Sequence, residues 1–204
     1  MSNEEDHVSY LHKYFPSICK EKRSLLRYDE VGLYSISPPK NAYIITSYVL
    51  RYFKGNNVIV TDAMAGLGGN VLSFANYLYR VNAIEYDEER FKHLVSNVGL
   101  YSSANVVCLN ADYLSIMYKL QQHVIFLDPP WGGKNYKEND KMTIEINDIS
   151  LSTICDDIYE NKLCMLLLLK LPLNYDIETF SGNIRNNMHV EKLPKILIIS
   201  VYIT

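Results

Sequence analysis

The chain has 204 residues, of which 48% are hydrophobic, and it carries a formal net charge of -3. This length suits one well-packed domain better than two, so we expect a single domain over residues 1–204. The net negative charge argues against a protein that lies along a long polyphosphate, because that kind of binding depends on many cationic contacts. Any contact with nucleic acid is therefore expected to be local.

The cysteines and the first residues of the chain indicate the cellular compartment in which the protein is expected. None of the cysteines forms a C-x-x-C pair, which favours free thiols in a reducing intracellular environment over a zinc site. The histidines show no metal spacing either. The start MSNEEDH is acidic, unlike a secretory signal, and no apolar run approaches the length of about 20 residues that a membrane span needs. We expect a monomer without metal or membrane contact. The cysteines are Cys19, Cys108, Cys155 and Cys164.

The predicted elements begin with a helical stretch over residues 1–52, which has a turn at 34–39 and serves as a cover for the site. A basic cluster within it is either a solvated helix face or a local contact for nucleic acid. Strands and helices then alternate, as in a parallel sheet with helices on both faces. The basic residues are Lys13, Lys20, Lys22, Arg23 and Arg27. The predicted strands are 58–62, 81–87, 104–112, 123–130 and 163–172, and the first two helices are 70–79 and 88–101.

The end of the chain departs from this alternation. HVEKLP and KILIISVYIT are strand-like and are joined by too few residues for a crossover helix, so they are predicted to form an antiparallel hairpin. The predicted fold is α/β, a doubly wound and mostly parallel seven-stranded sheet over residues 53–204, with a C-terminal antiparallel hairpin and a helical N-terminal extension. A parallel sheet that ends in such a hairpin resembles the Rossmann-like class I methyltransferase fold more than a dehydrogenase.

A glycine-rich turn follows the first predicted strand. It has the sequence DAMAGLGGN, from Asp62 to Asn70. Doubly wound sheets bind nucleotides at this place, and glycines let the backbone approach a ligand with positive φ. Because the pattern is G-x-G-G-N and not G-x-G-x-x-G, a dinucleotide is disfavoured. The turn therefore predicts a different nucleotide-like cofactor.

Acidic residues end the next two strands. Glu85 lies where a carboxylate accepts hydrogen bonds from both ribose hydroxyls of such a cofactor, and Asp87 is the competing choice. Asp112 ends the third strand and is placed to accept from an adenine amino group. The alternative for Asp112 is a helix N-cap.

The fourth strand is followed by DPPWGG, residues 128–133. Consecutive prolines stiffen this loop, and the Asp128 side chain with the Pro129 carbonyl forms a rigid acceptor pair for an NH2 group. Such a pair orients the amine and localises its lone pair, which is catalysis by positioning. Trp131 is the only tryptophan, and the glycines after it clear space for a nucleobase to stack. A 7-methylguanine is cationic and gains a cation–π term of about 1 to 2 kcal/mol. The alternative is a tryptophan that fills the core.

These motifs together resemble trimethylguanosine synthase, the family that methylates the N2 amine of the 7-methylguanosine RNA cap. The likeness covers about residues 28–172 and includes GLYSISP, residues 32–38, which is similar to the family segment over the cofactor. It implies S-adenosylmethionine as cofactor, S-adenosylhomocysteine as product and capped RNA as partner, with Trp131 on the cap guanine and Asn97 near its phosphates. The cofactor-binding residues that follow are Ser37, Asp62, Ala63, Gly66, Gly68, Asn70, Glu85, Asp112 and Asp128. The catalytic residues are Asp128, Pro129 and Trp131, and the substrate-binding residues are Trp131, Pro130, Asn97, Gly132 and Lys134.

The chain departs from this family at two positions. Asp128 stands where animal and fungal members more often have Ser, and Asp here is also common in adenine-N6 methyltransferases. Leu173 stands where relatives often place an Arg that meets the cap phosphates, so those contacts are expected to be weaker or to move to Arg23, Arg27, Lys134 or Lys137.

Two other functions remain open. One is adenine-N6 methylation of DNA or RNA, and the other is a catalytically silent subunit that binds RNA or a partner enzyme. The expected location is the nucleus or the cytoplasm. The richness in Asn, Ile, Lys and Tyr suggests an AT-rich genome such as that of a parasite or a large DNA virus.

Overall fold

The computed structural model describes residue 11 and residues 13–133, 136–137 and 140–203. The chain divides into two compact units, residues 1–120 and 121–204. Among the described residues, no helix has the length and apolar character needed to cross a membrane. The prediction of a single domain stays a prediction.

Before the first strand, the described part of the first unit includes the helices α1 (Lys20–Arg23), α2 (Glu30–Ser35) and α3 (Pro39–Phe53). The Asp29 side chain accepts from the Gly32 amide and so caps α2. Proline stands at the first position of α3, where its missing N–H costs nothing. The helical prediction is thus confirmed over these ranges. The predicted turn at 34–39 is partly wrong, because residues 34 and 35 complete α2 and only residues 36–38 form the link.

Three parallel strands complete the first unit. They are β1 (Ile59–Asp62), β2 (Arg80–Glu85) and β3 (Val106–Asn110), and the helices between and after them are α4 (Gly69–Tyr77), α5 (Glu88–Leu100) and α6 (Tyr113–Ile116). A short 3-10 helix, Met117–Lys119, follows. β2 lies between β1 and β3 and pairs with both in parallel. The buried faces of α3 and α4 meet at a hydrogen bond of 2.7 Å between the Thr46 and Ser73 hydroxyls. All predicted elements of this part are confirmed within a few residues.

The described part of the second unit holds the remaining strands and the α-helices given below. β4 (Val124–Leu127) pairs in parallel with β7 (Leu166–Leu171), while β9 (Leu197–Tyr202) runs antiparallel to β7 and to β8 (Met188–Lys192). The helices are α7 (Leu151–Glu160) and α8 (Ile177–Asn183). A small hairpin of β5 (Glu145–Ile146) and β6 (Ile149–Ser150) was not predicted. The predicted C-terminal hairpin is confirmed.

The seven-stranded sheet has the strand order β3-β2-β1-β4-β7-β9-β8. Its central strands are largely buried, as in β7, where every residue is buried. The predicted fold class, a doubly wound and mostly parallel sheet with an antiparallel hairpin at its end, is confirmed.

Candidate functional site

The glycine-rich turn between β1 and α4 in the first unit has a backbone conformation that requires glycine. Gly66 and Gly68 have φ of 56° and 99°, a region that side chains rarely adopt, and Gly68 is the N-cap of α4. The Ala65 amide donates to the Ile84 carbonyl at 2.8 Å, which fixes the turn to the end of β2. The first turn of α4 therefore starts directly beside the carboxyl ends of the strands.

The N-terminal segment packs on this turn without spare room. A Cβ added at Gly32 would lie 2.6 Å from Cγ of Leu67, and one added at Gly69 would lie 2.6 Å from the Ser37 carbonyl oxygen and 2.7 Å from Cγ1 of Ile36. All three distances are shorter than the contacts that Cβ atoms make in real structures. The segment that the sequence predicts as a cover thus contacts the glycine turn at two glycines.

Glu85 ends β2 with a nearly buried carboxylate that backbone amides hold in place. The Gly66 amide donates to its Oε2 at 2.9 Å, and the Asp87 amide donates to its Oε1 at 3.0 Å. Because each carboxylate oxygen accepts two hydrogen bonds, both keep capacity for a further donor. The carboxylate therefore keeps an acceptor site on each of its two oxygens.

Asp87 and Asp112 both cap helices. The Asp87 carboxylate accepts from the Arg90 amide at 2.8 Å at the start of α5, and the Asp112 carboxylate accepts from the Leu114 amide at 3.1 Å at the start of α6. The N-cap alternative for Asp112 is therefore observed, while its contact with adenine stays a prediction. Asp87 is exposed, whereas Glu85 is buried against the glycine turn, which favours Glu85 as the ribose acceptor.

Other predicted cofactor residues around the turn are buried. The Ser37 hydroxyl and Asn70 Oδ1 are inaccessible to solvent and have no hydrogen-bond partner among the described residues. Asp62 is fully buried and accepts from the Met64 amide at 3.4 Å, and Ala63 is buried beside it. Carboxylate, hydroxyl and amide groups around a glycine turn suit the ribose and amino acid parts of S-adenosylmethionine. The residues present fit that cofactor.

Arg90 links Glu85 to the N-terminal segment. Its Nη2 donates to Oδ2 of Asp29 at 2.9 Å, and its Nη1 lies 3.6 Å from Oε1 of Glu85. Burial raises the pKa of Asp29, but the Arg90 hydrogen bond and charge and the Gly32 amide outweigh this effect and hold the pKa below its ordinary value. Sequence reasoning missed Arg90, since nothing local relates it to Asp29.

Asn97 lies on α5 and is fully buried. Its Oδ1 accepts from the Arg27 amide at 2.8 Å, and its Nδ2 donates to the carbonyls of Arg27 at 2.9 Å and Leu67 at 3.1 Å. The carboxamide thus joins the N-terminal segment to the glycine turn. Its role at the cap phosphates stays a prediction, and in this conformation its bonds go to the backbone.

The second unit holds the predicted acceptor loop. β4 ends at Leu127 because the next residues, Asp128 and two prolines, leave the sheet. Pro129 is buried and Pro130 exposed. Gly132 and Gly133 have φ of 83° and 85°, and a Cβ at either would meet nothing within 4 Å. These glycines are needed for the backbone conformation, and none of the described residues crowds the space beside them.

Asp128 forms a part-buried ion pair that the sequence did not predict. Leu127 of β4 is paired with Leu169 of β7, so the next residues, Asp128 and Lys170, lie side by side. Lys170 Nζ donates to Oδ2 of Asp128 at 2.5 Å. Burial raises the pKa of the Asp128 carboxyl, and the charge and hydrogen bond of Lys170 act against that rise. The sequence feature that could have indicated this pair is the lysine inside the apolar run LLLLKL.

Trp131 is half-buried, which distinguishes it from a tryptophan that fills the core. Its ring meets that of Tyr136 edge to face, with centroids 5.2 Å apart, and Lys170 Nζ lies 5.5 Å from its centroid. Asn174 Nδ2 donates to the Tyr136 carbonyl at 2.8 Å and so ties the loop to the segment after β7. The indole is held between these groups.

The expected phosphate ligands are dispersed. Lys134 lies outside the described residues. Lys137 Nζ stands 5.7 Å from the Tyr136 centroid, and Arg23 donates to the Ile18 carbonyl. The Leu173 side chain is 39% exposed and carries no charge. The structure brings together Asp128, Trp131 and Lys170 in the second unit, and the glycine turn, Glu85, Ser37 and Asn70 in the first.

Known proteins with similar sequences and folds agree with these features. The chain is 29% identical to a protein of Acanthamoeba polyphaga mimivirus whose function is uncharacterised, over 90% of this chain and 83% of that one. It is 28% identical to the trimethylguanosine synthase of Schizosaccharomyces pombe, over 79% of this chain and 70% of that one. Among solved structures, precorrin-6y C5,15-methyltransferase from Geobacter metallireducens has a similar fold, with a TM-score of 0.62 at 15% identity over 88% of this chain and 94% of that chain.

A family model described as RNA cap guanine-N2 methyltransferase matches residues 57–201, which is more than half of the chain. This range runs from the glycine turn through the acceptor loop to the C-terminal hairpin. The resemblance inferred from the sequence motifs is therefore confirmed. The family and the class I fold imply S-adenosylmethionine as the methyl donor. The chain belongs to the RNA cap guanine-N2 methyltransferase family.

Proposed function

We propose that this protein methylates the N2 amine of a 7-methylguanosine RNA cap and gives the 2,7-dimethyl or the 2,2,7-trimethyl product. Family membership and the identity to a trimethylguanosine synthase support this substrate. A monomeric state and a nuclear or cytoplasmic location remain part of the proposal.

The first unit holds the cofactor in this proposal. Glu85 accepts from the ribose hydroxyls, and Asp112 accepts from the adenine amine. Ser37, Asp62 and Asn70 contact the polar remainder, with Ala63, Gly66 and Gly68 giving close backbone approach. S-adenosylmethionine, when bound, supplies an electrophilic methyl group on a sulfonium. The orientation of the Glu85 carboxylate by two backbone amides supports its assigned role.

The acceptor loop holds the guanine amine. Asp128 and the Pro129 carbonyl accept from its two N–H groups, which localises the nitrogen lone pair before the methyl transfer. The methylated amine then releases one proton to the solvent. Trp131 stacks on the base, and the positive charge of 7-methylguanine strengthens that contact. One observation carries the proposal, namely that one loop holds a part-buried carboxylate, paired with Lys170, and a half-buried indole that faces the same ammonium. Pro130 and Gly132 border the space where the base lies.

The test uses the purified protein with S-adenosylmethionine and either 7-methyl-GTP or GTP, followed by product mass. We expect 7-methyl-GTP alone to gain about 14 or 28 mass units, which also gives the number of methyl groups. Trp131→Ala should abolish the gain, whereas Tyr79→Ala, which alters an exposed aromatic of the first unit, should not. Equal methylation of GTP and 7-methyl-GTP would contradict cap recognition.

Adenine-N6 methylation is the second candidate, because Asp128 supplies a carboxylate acceptor on a D-P-P-W loop. It predicts that 7-methyl-GTP is inert and that adenine-containing oligonucleotides gain mass. A silent RNA-binding subunit predicts no methylation of either acceptor and no heat of cofactor binding by calorimetry. The three outcomes are distinct.

A further inference from the structure

Lys170 is an unusual residue for its place in the fold. It lies in β7, whose other residues are all leucine and all buried, and it is itself only 6% exposed. Lysine is almost never buried unless it is paired, since removing an ammonium from water is costly. A lysine in the middle of such a strand therefore has a specific partner.

That partner is Asp128. The ammonium donates to Oδ2 of Asp128 at 2.5 Å and stands 5.5 Å from the Trp131 ring centroid. Lys170 is the one charged side chain that the described residues place against Asp128. Since Oδ2 is engaged, Oδ1 is the oxygen that remains for another donor, and no described residue donates to it.

Core stability does not explain this pair. A buried salt bridge gains little over a well-packed apolar pair, because desolvation offsets the attraction between the charges. The strand already consists of leucine, so an apolar residue at 170 would suit the core at least as well. The pair also lies where β4 ends and the acceptor loop begins, which ties the orientation of Asp128 to the neighbouring strand.

We propose that Lys170 is a positioning residue for the acceptor amine. It fixes Oδ2 of Asp128 and thereby directs Oδ1 to accept from the amino group of the base that stacks on Trp131. This inference rests on the proposed methylation of an amine at the acceptor loop. Lys170 acts through Asp128 and contacts neither the amine nor the methyl group.

The charge of Lys170 also influences the protonation state of Asp128. Burial favours the neutral carboxylic acid, and the nearby ammonium favours the carboxylate. A neutral carboxyl carries an O–H donor and accepts less well, so it holds an NH2 group poorly. Without Lys170 the pKa of Asp128 rises further, and the acid limb of the pH–rate profile moves to higher pH.

The experiment compares Lys170→Met, Lys170→Gln and Lys170→Arg in the full chain with S-adenosylmethionine and 7-methyl-GTP. We expect the Met and Gln variants to lose about 100-fold in kcat with little change in the KM for the cofactor. Lys170→Arg keeps the charge and should recover much of that loss. Lys141→Met is the matched control, because it removes an exposed lysine of the same unit that pairs with Glu178.

Two further measurements separate positioning from a structural role. The acid limb should shift to higher pH in Lys170→Gln and stay in place in Lys170→Arg. The emission of Trp131, the only tryptophan, should change in both neutral variants and not in Lys141→Met. If Lys170→Met does not fold, the Gln and Arg variants carry the test.

The inference is overturned if the neutral variants that fold keep the kcat and pH profile of the wild type. The proposed cap function can fail separately. If 7-methyl-GTP is inert but an adenine oligonucleotide is methylated, the same variants are assayed with that acceptor, and an equal loss of kcat supports Lys170 as a positioning residue. A wild type that methylates neither acceptor counts against both.

Discussion

The cofactor end and the acceptor end of this protein hold their carboxylates by different means. In the first unit, backbone amides of residues 66 and 87 hold Glu85. In the second unit, a lysine 42 residues away along the chain holds Asp128. The first arrangement uses backbone groups, so one side-chain change elsewhere hardly alters it. The second depends on a single pair, so it is the part of the site where small sequence changes have large effects.

The largest difference between the two ends is expected when the Glu85 carboxylate at the cofactor end is removed. Glu85→Ala should weaken S-adenosylmethionine binding by about 100-fold, since two hydrogen bonds to a charged group are worth about 1.5–3 kcal/mol each and part of this is offset by water. Calorimetry measures it. Glu88→Ala removes an exposed carboxylate three residues on and should change affinity by about twofold at most. Unchanged affinity in Glu85→Ala would refute the ribose assignment.

A second change acts on the packing that supports the cofactor end. Gly69→Ala should lower the free energy of unfolding by about 1–3 kcal/mol, because its Cβ meets the Ser37 carbonyl and Ile36. Gly99→Ala is the matched control in α5, where a Cβ meets nothing within 4 Å, and it should raise stability by about 0.4–1 kcal/mol. Denaturant unfolding gives both values. Equal effects of the two substitutions would contradict the tight contact.

Substitutions at the acceptor end should change the selectivity between nucleotides and leave the affinity for the cofactor unchanged. Trp131→Ala should reduce the preference for 7-methyl-GTP over GTP by about tenfold, because a cation–π contact contributes about 1–2 kcal/mol. Trp131→Phe keeps an aromatic face and should give an intermediate preference. Binding of both nucleotides by calorimetry, with S-adenosylmethionine as the reference ligand, provides the test. A loss of cofactor affinity in either variant would show that the two ends are not separable.

The smallest effect concerns the N-terminal segment. The pKa of Asp29 in the folded protein lies below its ordinary value of 3.8, so the Asp29–Arg90 pair contributes stability above that pH and loses it as the pH falls through the folded value. Asp29 is 32% exposed, so solvent screening limits the contribution to less than about 1 kcal/mol. Wild-type stability should therefore fall more steeply than that of Asp29→Asn from about pH 5 downward. Unfolding curves at several pH values test this, and parallel slopes would contradict it.

Local patterns in the sequence were enough to predict most of the fold. A β-branched run before a glycine turn predicted β1, and the strand near 123–130 was correctly placed. Its end was predicted too late, because Asp128 and the prolines leave the sheet at once. Lys170 lay inside a predicted strand, but its pairing with Asp128 depends on the register of β4 with β7. The role of Asn97 likewise depends on Arg27, which is 70 residues away. Contacts of this kind form only when the chain folds.

The glycine contacts of the N-terminal segment have a consequence for how this part of the sequence can vary. Gly32 and Gly69 lie on opposite partners of one interface, and each leaves no space for a methyl group against the other side. A larger residue at Gly32 is acceptable only if residues 29 and 67 change with it, and one at Gly69 only if residues 36–37 do. Substitutions here are therefore epistatic, and grafting the segment from a relative should succeed when the glycine turn of that relative is moved together with it.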